Sequence, residues 1–96
     1  MSANFMERSV KPSSDVVVQE LSDGDGVLLH LRSEQYFGLD SVGMRMWSVL
    51  GSTPRLADAY EQLLAEYDVQ PATLEQDLKA FVERLIEREL LEISSS

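Results

Sequence analysis

The sequence predicts an α+β domain in which a three-stranded antiparallel meander is followed by three α-helices. Three observations support this class. The first half alternates apolar and other residues with the period of two that is typical of strands, whereas from Ser41 onward apolar residues recur at helical spacing. The strands precede the helices without interleaving, an order that favours α+β. The length of 96 residues is that of one domain.

Turn-forming residues separate the predicted strands. The first strand is the valine-rich segment 16–21, and the Gly- and Asp-rich segment 22–26 forms the turn after it. In the second strand we predict an apolar face made of Val27, Leu29 and Leu31. Ser33-Glu34 reverses the chain into the third strand, Gln35 to Leu39. The helices cover one face of this sheet, and its other face is expected to be largely wet.

The helices are predicted from their caps and apolar stripes. The first begins after an Asp40-Ser41 cap and ends at Gly51, and Thr53-Pro54 caps and starts the second. The third begins near residues 71–73, where Thr73 opens a capping box. Its apolar stripe consists of Leu74, Leu78, Phe81, Val82, Leu85, Ile86 and Leu90.

Composition excludes several classes of function. The net charge is −9, and eight basic residues are scattered among seventeen acidic ones, so a nucleic-acid partner is not expected. The chain has no cysteine, which excludes disulfides, thiolate metal sites and cysteine nucleophiles and accords with the cytoplasm as its location. No apolar run approaches the roughly 18 residues of a membrane span, and no secretory signal is present.

The sequence offers no catalytic residue, cofactor site or metal site. His30 is the only histidine and is expected on the solvent or partner side of its strand, without a nucleophile or orienting group. Asp23 and Asp25 are interpreted as a hairpin turn, because the twelve-residue pattern of a calcium loop is missing. The acidic residues of the last helix alternate with basic ones, as on a solvated face. Trp47 is interpreted as a core residue.

The chain divides into three predicted segments. Residues 1–15 are expected to be a flexible lead-in, residues 16–93 the folded domain, and residues 94–96 a frayed tail.

The third strand has the features of an open sheet edge. It carries apolar side chains on both faces, it has no lysine or proline to prevent pairing, and Gly38 leaves its backbone approachable. Two interpretations remain open for Tyr36 and Phe37. They are either packing residues, or part of a template on which a partner peptide adds a further strand.

Three stretches of the sequence resemble a known family. The segment "YFGLDSVGMRMWSVL", the later "LLAEYDV" and the final "LIERELLEI", in this order after two strands, resemble the PqqD-like family, the RiPP recognition elements. The resemblance covers Val16 to Ile93. It implies a small winged helix-turn-helix-like domain without catalytic activity or cofactor. Such domains bind the leader segment of ribosomally synthesised precursor peptides and present it to modifying enzymes.

The resemblance also implies a site. The leader would pair antiparallel with the third strand, in a groove between that strand and the third helix. The strand would contribute the backbone of Gln35, Tyr36, Phe37, Gly38 and Leu39. The helix would contribute a pocket formed by Leu74, Leu78, Phe81 and Leu85, with Glu75 and Asp77 at its rim.

The Tyr-Phe-Gly-Leu run is most similar to the freestanding elements of lasso-peptide biosynthesis. This similarity implies a separate cysteine protease that removes the leader, and a macrolactam-forming cyclase, as partners. A peptide chaperone for a radical-SAM maturation enzyme is an alternative within the family. A winged-helix transcriptional regulator is an alternative from another class, which the negative charge opposes. A structural subunit that self-associates through the strand edge is a third.

Overall fold

The computed structural model describes residues 5–94 and confirms the α+β class and the order of the meander and the three helices. It adds two short strands that the sequence did not predict. The strands are β1 (Ser9–Pro12), β2 (Val16–Glu20), β3 (Gly26–His30), β4 (Gln35–Leu39) and β5 (Leu91–Ser94). The helices are α1 (Ser41–Ser52), α2 (Leu56–Glu66) and α3 (Pro71–Glu87), and two short 3-10 turns occupy Phe5–Glu7 and Ser22–Gly24.

The meander is antiparallel in the order β2-β3-β4, so β4 is an edge strand. Its buried face differs from the predicted one. Leu28 and His30 point inward on β3, and Leu31 is exposed in the turn after the strand. Apolar residues occupy both faces of this strand, so alternation alone left its orientation open. Gly26 fits this orientation, because its missing Cβ leaves room for the side chain of Met44 on α1.

His30 is therefore a buried residue, which corrects its predicted solvent-side position. It is 4% exposed, and its Nδ1 accepts a hydrogen bond from the Ser33 backbone N–H at 3.3 Å. This bond closes the turn between β3 and β4. The histidine therefore stabilises the turn of the hairpin and packs in the core.

The predicted cap of α1 is present, but the boundaries of α1 and α2 differ. Asp40 accepts a hydrogen bond from the Gly43 N–H through Oδ1 at 2.8 Å, and the helix continues past Gly51 to Ser52. The second helix begins at Leu56, two residues after Pro54. The Pro54 carbonyl instead accepts from the N–H of Val10 at 3.0 Å, so contact with β1 holds this segment extended.

The ends of α3 also differ from the prediction. Pro71 occupies the first turn, but the predicted capping box is not formed, because the helix already begins two residues before Thr73. The helix ends at Glu87, before Leu90. Glu89 follows in the left-handed region, with φ of 63°. Its N–H bonds to the Ile86 carbonyl and that of Leu90 to the Leu85 carbonyl, the pair of bonds that defines a Schellman cap.

Beta-strands β1 and β5 pair antiparallel and join the two ends of the domain. Ser9–Pro12 thus form a strand, whereas the sequence predicted a flexible lead-in over residues 1–15. Val10 of this strand is fully buried. Ser94, predicted to begin a frayed tail, pairs with Ser9. The rest of the predicted tail, residues 95–96, lies outside the described residues, as do residues 1–4 of the lead-in.

The core lies between the helices and the inner face of the meander. Helix α3 contributes one continuous buried stripe to it, formed by Leu74, Leu78, Val82 and Leu85. Because one face of α3 is fully engaged in the core, only its neighbouring faces are free to form a site.

Candidate functional site

Two hydrogen bonds at the ends of β3 show which of its residues bond to β2 and which bond to β4. The N–H of Leu31 donates to the Asp15 carbonyl at 2.7 Å, and the N–H of Leu21 donates to the Asp25 carbonyl at 2.7 Å. Residues 25 and 31 therefore bond toward β2. Because bonding direction alternates along an antiparallel strand, residues 27 and 29 also bond to β2, and residues 26, 28 and 30 bond to β4.

The same alternation identifies the free backbone groups of β4. Its residues 35, 37 and 39 face residues 30, 28 and 26, so their N–H and C=O groups are used within the sheet. The N–H and C=O groups of Tyr36 and Gly38 point to the open edge. The sheet face at Gly38 is also open, because a Cβ built on it would meet no atom within 4 Å. Two residues thus offer an incoming strand a donor and an acceptor each.

A groove of about 350 Å³ runs beside this edge, between β4 and α3. On the β4 side it is lined by Phe37, Gly38 and Leu39, and α1 adds Val42, Gly43 and Met46. On the α3 side the lining residues are Asp77, Ala80, Phe81 and Arg84. The groove has room at the α1 junction because Gly43 has no side chain; a Cβ there would lie 3.2 Å from Leu39 Cδ2.

Charged side chains surround this apolar floor. Asp40 and Asp77 lie on the groove, together with Arg84. One turn beyond Arg84, the guanidinium of Arg88 stacks over the ring of Phe37, 5.5 Å from its centroid. The arrangement can therefore hold an extended peptide through its backbone, an apolar anchor and charged flanking side chains.

The structure brings together some of the predicted site residues and separates others. Phe37, Gly38, Leu39, Asp77 and Phe81 line the groove. Gln35 and Tyr36 line a small cleft next to it with Arg88. The predicted pocket residues Leu74, Leu78 and Leu85 are instead buried in the core, and Glu75 is exposed outside the groove lining.

The site also contains residues that were not predicted from the sequence: Ala80 and Arg84 on α3, Arg88 at its C-cap, and Asp40, Val42, Gly43 and Met46 at the α1 side. Positions 77, 80, 81, 84 and 88 are three or four residues apart, so they share one helix face. This face lies beside the apolar stripe. Helical spacing was thus the available signal, but the sequence predicted that Arg84 and Arg88 belong to a solvated face.

A second cleft, of about 510 Å³, lies between α1 and the β2 side of the meander. Trp47, Met44 and Val18 line it. Trp47 packs partly against the core, as predicted, but it also forms part of this surface. Since Trp47 is the only tryptophan and is remote from the groove lining, its fluorescence is not a direct report on the groove.

Electrostatic perturbation occurs away from both the groove and the sheet edge. The hydrogen bond to Glu66 raises the pKa of Arg45, and the same bond lowers the pKa of Glu66. This ion pair ties α1 to α2. Within residues 5–94, no group of three or more His, Cys, Asp or Glu side chains is arranged to hold a metal ion. No helix in that range is long and apolar enough to cross a membrane.

The fold and site define a class of small α+β domain in which an open edge strand and an amphipathic helix form the two sides of a groove. Residues 25–91 match the family described as coenzyme PQQ synthesis protein D (PqqD). The protein belongs to this family, which confirms the resemblance seen in the sequence. Comparison with curated protein sequences gives no match.

Two solved structures are similar over nearly the whole chain. One is TbiB1 in complex with the TbiA(beta) leader peptide, with 42% sequence identity, a TM-score of 0.80, and coverage of 90% of this chain and 99% of that one. The other is lasso peptide synthetase B1 complexed with the leader peptide, with 26% identity, a TM-score of 0.77, and coverage of 88% and 98%. Both structures contain a leader peptide.

Proposed function

We propose that this protein binds the leader segment of a ribosomally synthesised precursor peptide, of the lasso-peptide type, as an additional strand on β4. The open backbone edge at Tyr36 and Gly38 beside an apolar groove carries this proposal. The similarity to two leader-bound proteins, one of them a lasso peptide synthetase B1, supports it. The leader lies between β4 and α3.

Binding combines backbone and side-chain contacts. Each edge hydrogen bond contributes about 0.5–1.5 kcal/mol net. Burying one leucine-sized side chain against Phe81 and Ala80 adds about 1.5–3 kcal/mol. Ordering a disordered peptide costs about 2–5 kcal/mol, which offsets part of this gain. Four edge bonds and one anchor thus give at most about 7 kcal/mol, or a dissociation constant of about 10 µM, so tighter binding requires further apolar anchors in the groove.

The protein acts as a non-catalytic adaptor in the cytoplasm. The single histidine, His30, is buried with its Nδ1 engaged by a backbone N–H, and the chain has no cysteine, so it has no cysteine nucleophile and no free imidazole to act as a general base. Cleavage of the leader therefore falls to a separate cysteine protease, and ring closure falls to a cyclase. The adaptor presents the bound leader to them.

A second candidate function follows from the family itself. The family is described as coenzyme PQQ synthesis protein D. In this second candidate, the protein acts as a peptide chaperone for a radical-SAM maturation enzyme and binds its peptide on the same strand edge. The two structural matches, both leader-bound and one of them a lasso peptide synthetase B1, favour the first candidate. A DNA-binding regulator is not favoured, because the net charge is −9.

Titration of a fluorescein-labelled leader peptide, followed by anisotropy, tests the proposal. The leader encoded beside this gene should bind with a dissociation constant below about 100 µM. The variant Ala80→Tyr fills the groove from α3 and should abolish binding. Ala72→Tyr is the matched control, since Ala72 is exposed on the same helix outside the groove lining. Equal binding by both variants, or none by the unaltered protein, would overturn the proposed function.

A further inference from the structure

Two arginines on the groove side of α3 have no carboxylate partner within residues 5–94. Arg84 and Arg88 are one turn apart, and neither makes an ion pair within residues 5–94, although the chain has seventeen acidic residues. Like charges at this spacing repel each other on a helix surface. Their position in the last turns of α3 compensates the helix dipole, but that effect does not depend on which face they occupy. Stacking on Phe37 accounts for the position of Arg88 beside β4, but the Arg84 side chain has no such contact within residues 5–94, so its position needs a further reason.

The opposite end of the groove carries the opposite charge. Asp77 lines the groove without any ion pair in the described part of the chain. Asp40 lies at the same end, where β4 meets α1, and uses Oδ1 for its helix cap. The groove is thus polarised. Its acidic end adjoins the end of β4, and its basic end adjoins the start of β4, where Arg88 and Gln35 line the same small cleft.

The spacing of these charges matches an extended strand. Nine residues of helix separate Asp77 from the midpoint of Arg84 and Arg88, which is about 13 Å at 1.5 Å per residue. Four residues of a strand span about the same distance. Residues i, i+2 and i+4 of an added strand share one face. Phe81 lies about midway between Asp77 and the two arginines, so residue i+2 of the added strand lies opposite Phe81.

The direction of the added strand sets the order of charges. Antiparallel pairs are commoner than parallel ones and slightly more stable per residue, and every pair in this meander is antiparallel. A strand antiparallel to β4 begins at the acidic end of the groove and finishes at the basic end.

We propose that the groove selects peptides in which a basic, an apolar and an acidic residue follow at alternate positions, in that order from the N-terminus. The basic residue pairs with Asp77, the apolar residue packs on Phe81, and the acidic residue pairs with Arg84 and Arg88. Arginine forks are well suited to a carboxylate, which they bind through two parallel hydrogen bonds. This inference rests on the proposed strand addition at β4.

Two synthetic peptides with the same composition test the order. One contains Lys-Thr-Leu-Thr-Glu and the other Glu-Thr-Leu-Thr-Lys. Because the two peptides have the same net charge, the negative net charge of the protein affects both equally. The first should bind about ten-fold more tightly, because reversal replaces attractive contacts with repulsive ones at both ends. The difference should shrink as salt concentration rises.

A charge exchange on the protein provides the reciprocal test. The double variant Asp77→Arg with Arg84→Asp keeps the net charge and should remove or reverse the preference. The matched control exchanges Arg55 and Asp58 on the α2 side (Arg55→Asp with Asp58→Arg), which are exposed outside the groove, and should retain it. Circular dichroism of both variants checks that the helices remain folded.

The outcomes separate this inference from the proposed function. Equal affinity for the two peptides, or tighter binding of the reversed one, would overturn the charge order and leave strand addition in place. A preference unchanged by the exchange of Asp77 and Arg84 would also overturn it. Failure of both peptides and of the native leader to bind would overturn both proposals.

Discussion

Replacing Gly38 with proline removes a single hydrogen-bond donor from the open edge of β4. The Gly38 N–H points away from β3, so the bonds that hold β4 in the sheet are kept. Proline is tolerated on edge strands for this reason. Its ring also projects where the N–H was, into the space that an added strand needs.

The expected loss of affinity follows from the contact removed. One backbone hydrogen bond is lost, and the carbonyl of the bound peptide that it served is left unpaired. Together these cost about 1.5–3 kcal/mol, or roughly ten- to hundred-fold in dissociation constant. The free energy of unfolding should change by less than about 1 kcal/mol. Proline lowers the conformational entropy of the unfolded chain, and this gain offsets the cost of its restricted φ in the folded strand.

Gly38→Ala is the matched control. It keeps the N–H, and its Cβ meets nothing within 4 Å, so peptide affinity should stay close to that of the unaltered protein. The assay is anisotropy of a labelled leader peptide, with thermal melting of each variant by circular dichroism. Should both variants bind the leader equally and melt alike, pairing at β4 would be refuted. The edge of β2 would then be the next candidate.

Three further predictions concern stability and are measured by urea unfolding. Val10→Ala should lower the free energy of unfolding by about 2 kcal/mol, because β1 buries this side chain completely; no change would mean that β1 does not support the core. Glu89→Gly should raise it by about 0.5–1 kcal/mol, because glycine adopts a φ of 63° without steric cost, and a decrease would contradict the Schellman geometry. The lowered pKa of Glu66 means that its pair with Arg45 stabilises the fold above the unfolded pKa, about 4.3, and is lost as pH falls through the folded pKa. The difference in stability from Glu66→Gln should therefore vanish in acid; a difference that persists would contradict this.

Only part of the candidate site could be predicted from local sequence signals. The edge strand Gln35–Leu39 was predicted with its observed bounds, because its turn, its aromatic residues and the Asp40 cap are all local signals. Phe81 and Asp77 line the groove, whereas Leu74, Leu78 and Leu85 are buried in the core. The sequence could not separate these two sets, because a helix pattern identifies an apolar stripe without saying whether sheet, helix or ligand covers it.

Long-range pairing decided the remaining differences. Strands β1 and β5 are four residues each and lie at opposite ends of the chain, so neither carries a local signal for the other. Val10 of β1 also donates its N–H to the Pro54 carbonyl, and Arg55 is extended, so α2 begins only at Leu56.

The sequence by itself determined the class, the meander, the number of helices and the open edge, since alternation, helical spacing, caps and turns act over a few residues. Only the tertiary structure decided which face of β3 is buried and which residues of α3 line the groove. Both depend on how α1 and α3 pack on the sheet, where Gly26 admits the side chain of Met44 and the core takes the leucine stripe of α3. Packing of this kind is a property of surfaces far apart in sequence, and it leaves Phe81, Arg84 and Asp77 to face the open edge of β4.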